Sequence, residues 1–246
     1  MRRTWLRLGW IVAAASCGYP RLPAVGDGGG DDDAPVDGAT RQPAGARLWL
    51  EMETPSYLDS AGGHTATCIK CPTLTTGKFG TGYQFDGSSV LTISSATDLA
   101  HGARFTIAVW VKVSAFVDPS NPGLIAGKQT APNQGAEALL IQHTMHMGYY
   151  STPGSYASGS ATIALGDWHH FTMVWDGASK RGYIDGMADA TQVLPAIDPD
   201  AAAPLDIGGD PGAPQLNFVG VLDDLVFFDR VLSQAEIAQL VAGPTP

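Results

Sequence analysis

Side chains that could carry out chemistry are few in this chain, and their spacing is poor. Four glutamates occur, Glu51, Glu53, Glu137 and Glu236. Glu51 and Glu53 would share one face of a strand, because alternate residues of a strand point the same way. Glycoside hydrolysis needs two carboxylates that face each other across the scissile bond. No third acid continues the pair Glu51 and Glu53, and the acids Asp223–Asp224 are followed by apolar residues.

The histidines are not spaced to share a metal ion or a proton. His143 and His146 are three residues apart, which would place them on opposite faces of a strand. The neighbours His169 and His170 would diverge in the same way. The chain also lacks the Gly-x-Ser-x-Gly sequence of serine hydrolases. We therefore assign no catalytic residue and expect a protein that is not an enzyme.

Two cysteines, Cys68 and Cys71, enclose a loop of two residues. With His64 they have the spacing of a partial zinc site, but a fourth ligand is missing. A redox-active pair would lie in a thioredoxin-like βαβ unit, which the flanking sequence does not predict. We predict a local disulfide between Cys68 and Cys71, as expected for an exported protein.

Residues 1–16 have the properties of a signal peptide. Three arginines precede a short apolar stretch, which does not reach the length of a membrane span. Small residues then lead to Cys17, so this segment resembles a bacterial lipoprotein signal, in which the cysteine becomes the lipidated N-terminus. Ala14 stands where such signals usually carry leucine, and ordinary secretion is the alternative. By the same resemblance, Gly18 in place of aspartate favours the outer membrane.

Residues 17–46 are predicted to form a disordered tether, and residues 47–246 a single domain. Glycine, proline, aspartate and alanine dominate the tether, which cannot bury enough apolar surface to offset its chain entropy. The net charge of −10 argues against a nucleic-acid partner. No apolar run has the roughly 18 residues of a transmembrane helix, so the lipid is the expected membrane attachment.

The domain composition favours strands and turns. Charged residues make up 15% of the chain, and 30 glycines and 17 prolines supply turn positions. One short helix is predicted near the end, where Ser233 and Glu236 form a capping box and Gly243 ends the helix. Ten or more strands are expected, with candidates at 47–52, 83–85, 89–93, 105–113, 137–142, 145–150, 169–175, 181–184, 205–207 and 218–228.

Four stretches, taken in order, resemble one family. They are residues 79–93 with a Phe-Asp-Gly turn, 105–112 around a strand tryptophan, 167–186 and 218–237. The family is the laminin-G-like branch of the concanavalin A-like jelly rolls, in its bacterial form. The resemblance implies an all-β, two-sheet antiparallel jelly-roll sandwich. It also implies a test for catalysis, because related hydrolases carry Glu-x-Asp-x-x-Glu on one strand, and this pattern is missing.

The strand tryptophans Trp110, Trp168 and Trp175 are predicted to fill the core, with sugar stacking as the functional alternative. The aromatic-rich segment 149–156 is a candidate ligand loop, with core filling as its alternative. No ligand-binding residue is assigned from either feature.

The resemblance also raises the possibility of calcium, which many laminin-G-like domains bind. Calcium needs several oxygen ligands that converge. The acidic candidates are Glu51, Asp59 and Asp223. The first and last strands of a jelly roll are commonly neighbours, so Glu51 and Asp223 could approach each other.

The sequence therefore predicts a non-catalytic surface recognition module, held by a lipid anchor, that binds a glycan or an extracellular protein. The alternative is a structural or adhesive envelope component. A glycoside hydrolase is the third and least favoured function.

Overall fold

The computed structural model describes residues 42–94, 96–99, 104–131, 134–151, 155–193 and 203–243. Within these residues the chain forms fourteen strands and one α-helix. Their bounds are β1 Leu48–Leu50, β2 Thr73–Thr76, β3 Thr81–Asp86, β4 Leu91–Ile93, β5 Phe105–Phe116, β6 Gly123–Ala131, β7 Gln134–Ile141, β8 His146–Ser151, β9 Ser155–Thr162, β10 Trp168–Trp175, β11 Ser179–Ile184, β12 Met187–Val193, β13 Leu205–Ile207, β14 Phe218–Phe228 and α1 Gln234–Ala242.

The strands form two antiparallel sheets. The first has the order β12-β11-β10-β5-β14-β3-β2, and β1 pairs with the far half of β14 beside β3. The second has the order β4-β13-β6-β7-β8-β9. The predicted all-β sandwich with one short C-terminal helix is confirmed.

The main core lies between the two sheets, and β5 shows how the sequence builds it. Alternate residues of β5, from Phe105 to Val113, join the core, and their counterparts on β10 are Phe171, Met173 and Trp175. The residues between them face the other side of the first sheet. Both faces of β5 are buried because the strand lies in the middle of a covered sheet, as its apolar sequence predicts.

The outer side of the first sheet carries a second hydrophobic cluster beneath α1. Its members are Trp49, Ala108, Val174, Tyr183, Val226, Phe228, Leu232 and Ile237. The predicted capping box is present: the Ser233 hydroxyl accepts from the Glu236 amide, and the Glu236 carboxylate accepts from the Ser233 amide. Gly243 ends the helix with φ +75°.

The bounds of two strands agree with the sequence prediction, and four other strands were not predicted. Strands β13 and β14 occupy the predicted residues. The missed strands β2, β6, β9 and β12 are rich in threonine, serine, glycine or alanine, so their sequences lack the apolar alternation that marks a strand. These segments become strands because they form hydrogen bonds with neighbouring strands, and the sequence alone does not show that pairing.

Residues 1–41 lie outside the described residues, so the signal peptide, the lipid at Cys17 and the tether stay predictions. In the part of the chain that the structure describes, no helix is long and apolar enough to cross a bilayer.

Candidate functional site

Asp59, one of the predicted calcium ligands, organises the loop that follows β1. Its carboxylate accepts hydrogen bonds from the backbone amides of Trp49, Ala61, Gly62 and His64, at 2.7 to 3.2 Å. The loop passes so close to its surroundings that a Cβ on Gly62 would lie 2.1 Å from the Arg47 carbonyl oxygen. Asp59 is thus a buried anchor for this loop, and its oxygens are committed to backbone amides.

The same carboxylate holds one side of the His64 ring. His64 Nδ1 lies 2.6 Å from Asp59 Oδ2, and His64 Nε2 lies 3.0 Å from Asp98 Oδ1. Partial burial opposes protonation of His64, but the two carboxylates outweigh it and raise the pKa of the imidazole above 6.5. The arrangement favours a cationic imidazolium between two acids.

This arrangement limits the chemistry that His64 can perform. A general base needs a free ring nitrogen that can take a proton from a nucleophile. Both nitrogens of His64 already face carboxylates. His64 therefore positions Asp98, which is exposed, instead of activating a hydroxyl group.

His64 lies in the wall of a shallow depression of about 370 Å³. The depression is lined by Gly63, His64, Thr65, Thr67, Ile93 and Ser94. The lining therefore contains three hydroxyl groups, one imidazole and a single large apolar side chain, that of Ile93. We refer to this feature as the His64 depression.

Two constraints hold the His64 depression in place. Thr67 and Thr92 exchange both backbone hydrogen bonds, at 2.9 and 2.8 Å, which ties the loop to β4. The predicted disulfide between Cys68 and Cys71 follows at once, with a Cα–Cα distance of 5.2 Å. Because both sulfurs are in the disulfide, they supply no thiolates for the zinc site considered from the sequence.

Asp223, the second predicted ligand, lies at a different place and caps the turn between β2 and β3. Its Oδ2 accepts from the amides of Lys78 and Phe79, at 2.7 and 3.0 Å. Its Oδ1 is buried and has no hydrogen-bond partner. Burial raises the pKa of Asp223 to about 7, and the nearby acids Asp224 and Glu53 add to the rise, while the two amides oppose it.

Glu53 supports the same turn from its other end. Its Oε2 accepts from the Thr81 amide and the Thr81 hydroxyl, at 3.0 and 3.1 Å. Asp224 accepts from Trp49 Nε1 at 3.1 Å and has a left-handed backbone, with φ 47°. We refer to the turn at residues 77–81 with its two acids as the Asp223 turn.

The three predicted calcium ligands lie in different local surroundings. Glu51 is half-buried directly after β1, Asp59 serves the loop beside it, and Asp223 serves the turn at 77–81. Among the described residues, no three His, Cys, Asp or Glu side chains are grouped to hold a metal ion. Both oxygens of Asp59 and one oxygen of Asp223 accept hydrogen bonds from backbone amides. Calcium binding by Glu51, Asp59 and Asp223 stays a prediction, and a calcium-dependent rise in melting temperature would test whether the chain binds the ion.

The buried acids that lie near one another do not face an open cleft. Asp223 has none of its surface exposed, although Glu53 and Asp224 are close enough to raise its pKa. Asp206 and Asp210 form a second pair, and each is at most 5% exposed. Asp223, Asp206 and Asp210 themselves are inaccessible to a glycosidic bond.

The strand tryptophans divide between the two faces of the first sheet, which partly corrects the prediction that all three fill the core. Trp175 belongs to the main core. Trp110 is buried on the outer face, where Phe79 meets it edge-on and the Lys78 ammonium lies 4.2 Å from its ring centroid. Trp168 is half-buried on that same face and belongs to neither hydrophobic cluster.

The histidines of β10 diverge, as the alternation predicts. His169 Nδ1 lies 2.9 Å from Asp185 Oδ2. His170 is buried against Trp110, and burial lowers its pKa to about 4, so that it is neutral at physiological pH. Among the described residues, no hydrogen bond or ring contact joins either one to a second histidine.

The aromatic segment 149–156 is not a simple ligand loop. Tyr149 is in the main core, and burial raises the pKa of its phenol. The segment belongs to the hairpin of β8 and β9, and residues 152–154 at its tip lie outside the described residues. Core filling, the alternative reading of this segment, is correct for Tyr149.

Comparison with protein families identifies the domain. A laminin G-type family model, described as the concanavalin A-like lectin/glucanases superfamily, matches residues 85–238, more than half of the chain. The chain belongs to that superfamily. A comparison with curated proteins finds no match.

Solved structures of this superfamily fold include both binding domains and enzymes. Domain 4 of AbnA, an extracellular arabinanase from Geobacillus stearothermophilus solved with arabinotriose, has a TM-score of 0.64 at 17% identity, covering 81% of this chain and 100% of that one. The binding domain of Paraclostridial Mosquitocidal Protein 1 has a TM-score of 0.64 at 15% identity, covering 80% of this chain and 52% of that one.

The sialidase of Trypanosoma rangeli is similar over a smaller share of its length. Its TM-score is 0.62 at 14% identity, covering 82% of this chain and 33% of the sialidase. At such identities the likeness is one of fold. The superfamily fold thus occurs in enzymes and in binding domains alike.

Sequence reasoning missed the His64 depression. In the sequence, His64 stands out only as a possible zinc ligand beside Cys68 and Cys71, and nothing marks Asp98. A local signal was available, because an aspartate five residues before a histidine, with Gly62 and Gly63 between them, is able to fold back and contact it. The partner on the other ring nitrogen, Asp98, is 34 residues away, and no local pattern indicates it.

Proposed function

We propose that the domain is a non-catalytic carbohydrate-binding module, displayed outside the cytoplasm from a lipidated Cys17. The observation that carries this proposal is the His64 depression, which is constrained on both sides and lined by hydroxyl groups. Its volume of about 370 Å³ is in the range of small-ligand sites.

The chemistry of the depression suits a ligand rich in hydroxyl groups. Thr65 and Ser94 can each donate and accept a hydrogen bond, and Thr67, whose hydroxyl donates to the Thr92 carbonyl at 3.3 Å, can accept one. Asp98 offers a carboxylate at the rim, and His64 holds it in one orientation. Sugar hydroxyls donate to carboxylates and accept from hydroxyls, so a saccharide can satisfy this set of groups without any covalent step.

Two fold relatives support binding over catalysis. Domain 4 of the arabinanase was solved with arabinotriose, and the mosquitocidal protein contributes a domain described as a binding domain. Each of these is one domain of a larger protein, and the arabinanase domain is matched over its whole length. We infer the same kind of role for this chain.

The test is a glycan array with the purified chain, followed by calorimetry with each bound glycan and with arabinotriose. Asp98→Asn should weaken binding about five- to tenfold, because it removes the charged acceptor at the rim. Ser94→Ala should weaken it less. Ser120→Ala, an exposed serine outside the depression, is the matched control and should bind as the wild type does.

Other outcomes point to the other two functions. If no glycan on the array binds, the structural or adhesive envelope component becomes the better account. Release of reducing sugar from any bound glycan would overturn the non-catalytic assignment.

The anchor has a separate test. Cells grown with labelled palmitate should label the chain, and Cys17→Ala should abolish the label. Membrane fractionation should then find the wild type in the outer membrane. Equal labelling of the variant would show that lipid is not attached at Cys17, and secretion would replace anchoring.

A further inference from the structure

A row of side chains crosses the outer face of the first sheet, away from the His64 depression. Trp168 on β10 pairs with Lys112 on β5, Lys112 pairs with Val221 on β14, and Val221 pairs with Gln84 on β3. Directly opposed residues of antiparallel strands project from the same face, so these four side chains form one line. We call it the Trp168 row.

Three of the four side chains of the Trp168 row are partly exposed to solvent, whereas those of the adjacent row are buried. Trp168, Lys112 and Gln84 are each partly exposed. The next row contains His170 and Trp110, which are buried beneath Phe79 and Lys78. A half-buried indole that packs in neither hydrophobic cluster leaves part of its ring surface free for a ligand.

The charge near the row is unusual for this acidic chain. Of its five lysines, Lys128 and Lys180 are buried and Lys70 pairs with Asp86 at 3.2 Å. The remaining two, Lys112 in the row and Lys78 above Trp110, form no ion pair within the described residues. In a chain with a net charge of −10, two cations without a carboxylate partner beside an open indole favour an anionic ligand.

The acidic groups close to the row differ in exposure. Asp223 lies in the adjacent row, opposite Trp110, and is fully buried. Asp167 precedes Trp168 and is exposed, and Glu53 and Asp224, at the turn that carries Lys78, are partly exposed. The cations that this face offers to an anionic ligand are the ammonium groups of Lys78 and Lys112.

We propose that the Trp168 row binds a pyranose that carries a carboxylate. The apolar face of the sugar ring stacks on the Trp168 indole, and its carboxylate lies between the ammonium groups of Lys112 and Lys78. The Gln84 amide nitrogen donates to the carbonyls of Phe85 and Gly220, and its Oε1 can accept from a ring hydroxyl. This site shares no residue with the His64 depression, so each can fail without the other.

The experiment measures binding of trigalacturonic acid to the full chain by calorimetry, beside its methyl ester, which keeps the rings and removes the charge. The acid should bind at least tenfold more tightly than the ester, and its affinity should fall as salt is raised from 50 to 500 mM. Inorganic phosphate at the same concentrations tests whether charge alone suffices, and it should bind at least tenfold more weakly than the acid.

Three variants locate the site. Lys112→Gln should weaken binding of the acid about fivefold and leave the ester unchanged. Lys70→Gln removes the same charge elsewhere and should change neither. Trp168→Ala should weaken both ligands at least tenfold, and Trp168→Phe should keep most of the affinity, because the ring is retained.

Several results would overturn the proposal. Equal affinity for the acid and its ester would remove the role of charge. Unchanged affinity in Lys112→Gln would place the ligand elsewhere, and this exposed variant remains informative even if Trp168→Ala fails to fold. Absence of binding at 10 mM ligand, or phosphate binding as tightly as the acid, would also contradict it.

Discussion

Asp59 and Asp223 perform the same structural task in two regions of the domain, with different electrostatic results. Each buried carboxylate caps the backbone amides of a neighbouring loop. Asp59 receives four amides and a histidine ring, so both of its oxygens are satisfied. Asp223 receives two amides on one oxygen, while its other oxygen has no partner.

The neighbours explain the difference. Asp59 is next to His64, a cation, whereas Asp223 is next to Asp224 and Glu53, two acids. Burial disfavours a carboxylate charge, and only a cation or enough hydrogen bonds can offset that cost. The comparison shows that two buried aspartates with the same capping role can have neighbours of opposite charge. At Asp223, burial and the two acidic neighbours together raise the pKa.

Replacing Asp59 should have the largest effect on stability. Asp59→Ala leaves four backbone amides, of which that of Trp49 is buried, and the His64 ring without their acceptor, and we expect a loss of about 5 kcal/mol in the free energy of unfolding. Urea denaturation measures it. Asp118→Ala, which removes a partly exposed aspartate that also caps its own loop, is the control and should have little effect. Equal losses in the two variants would contradict the role given to Asp59.

Replacing Asp223 should change how stability depends on pH. The folded-state pKa of Asp223, about 7, is above its ordinary value of 3.8, so the folded protein binds more protons than the unfolded chain between these limits. Stability therefore falls as pH rises from about 4 to 7. Asp223→Asn removes this pH-dependent loss of stability. Relative to wild type, the free energy of unfolding of the variant should rise by on the order of 3 kcal/mol across that pH range.

Denaturation curves at pH 4, 5.5, 7 and 8 measure the difference between wild type and Asp223→Asn. Other acids titrate in both proteins and cancel in the difference. A difference that does not change with pH would mean that Asp223 is charged throughout and that its unpartnered oxygen is solvated.

Replacing His64 tests the Asp59 half of the comparison. Here the substitution should lower the stability, whereas Asp223→Asn should raise it. The pKa of His64 is raised in the folded protein, so its contribution is complete below pH 6.5 and is lost as pH rises through the folded-state pKa. His64→Gln should cost about 1 to 2 kcal/mol at pH 6, allowing for solvent screening, and less at pH 9. A cost that grows toward pH 9 would refute the imidazolium.

The smallest effect is expected from Glu53→Gln, which removes a negative charge near Asp223 and keeps an acceptor for Thr81. The pH at which Asp223 titrates should move down, with a free-energy effect of about 0.5 kcal/mol. The same denaturation series, run with Glu53→Gln and with the double variant Glu53→Gln/Asp223→Asn, checks this. An unmoved midpoint would show that the Glu53 charge does not reach Asp223.

Prediction from the sequence succeeded where the signal is local. The β10 alternation correctly separated Phe171, Met173 and Trp175 from His170. Asp185 and Gly186 form a tight turn, as their Asp-Gly sequence favours, with φ values of 52° and 79°. Prediction failed at β6 and β9, whose small and polar residues become strands through pairing, and at Trp168, whose position on a strand does not reveal which face is covered.

The candidate site was predicted only in pieces. Asp59 and Asp223 are predicted from the sequence to be important acids, and in the structure each one caps the backbone amides of a loop. Sequence spacing does not show that an oxygen is already committed to backbone amides, because those amides come from segments that meet only after folding.

By itself the sequence determined the sandwich class, its Asp–Gly turns and its capped final helix, because alternation, positive φ and capping act over a few residues. The tertiary structure alone decided which acid gained a cation and which gained two acids. His64 meets Asp98 across 34 residues, and Asp223 meets the Phe79 amide across 144. Strand register and burial create those contacts, and both are properties of the assembled sheets.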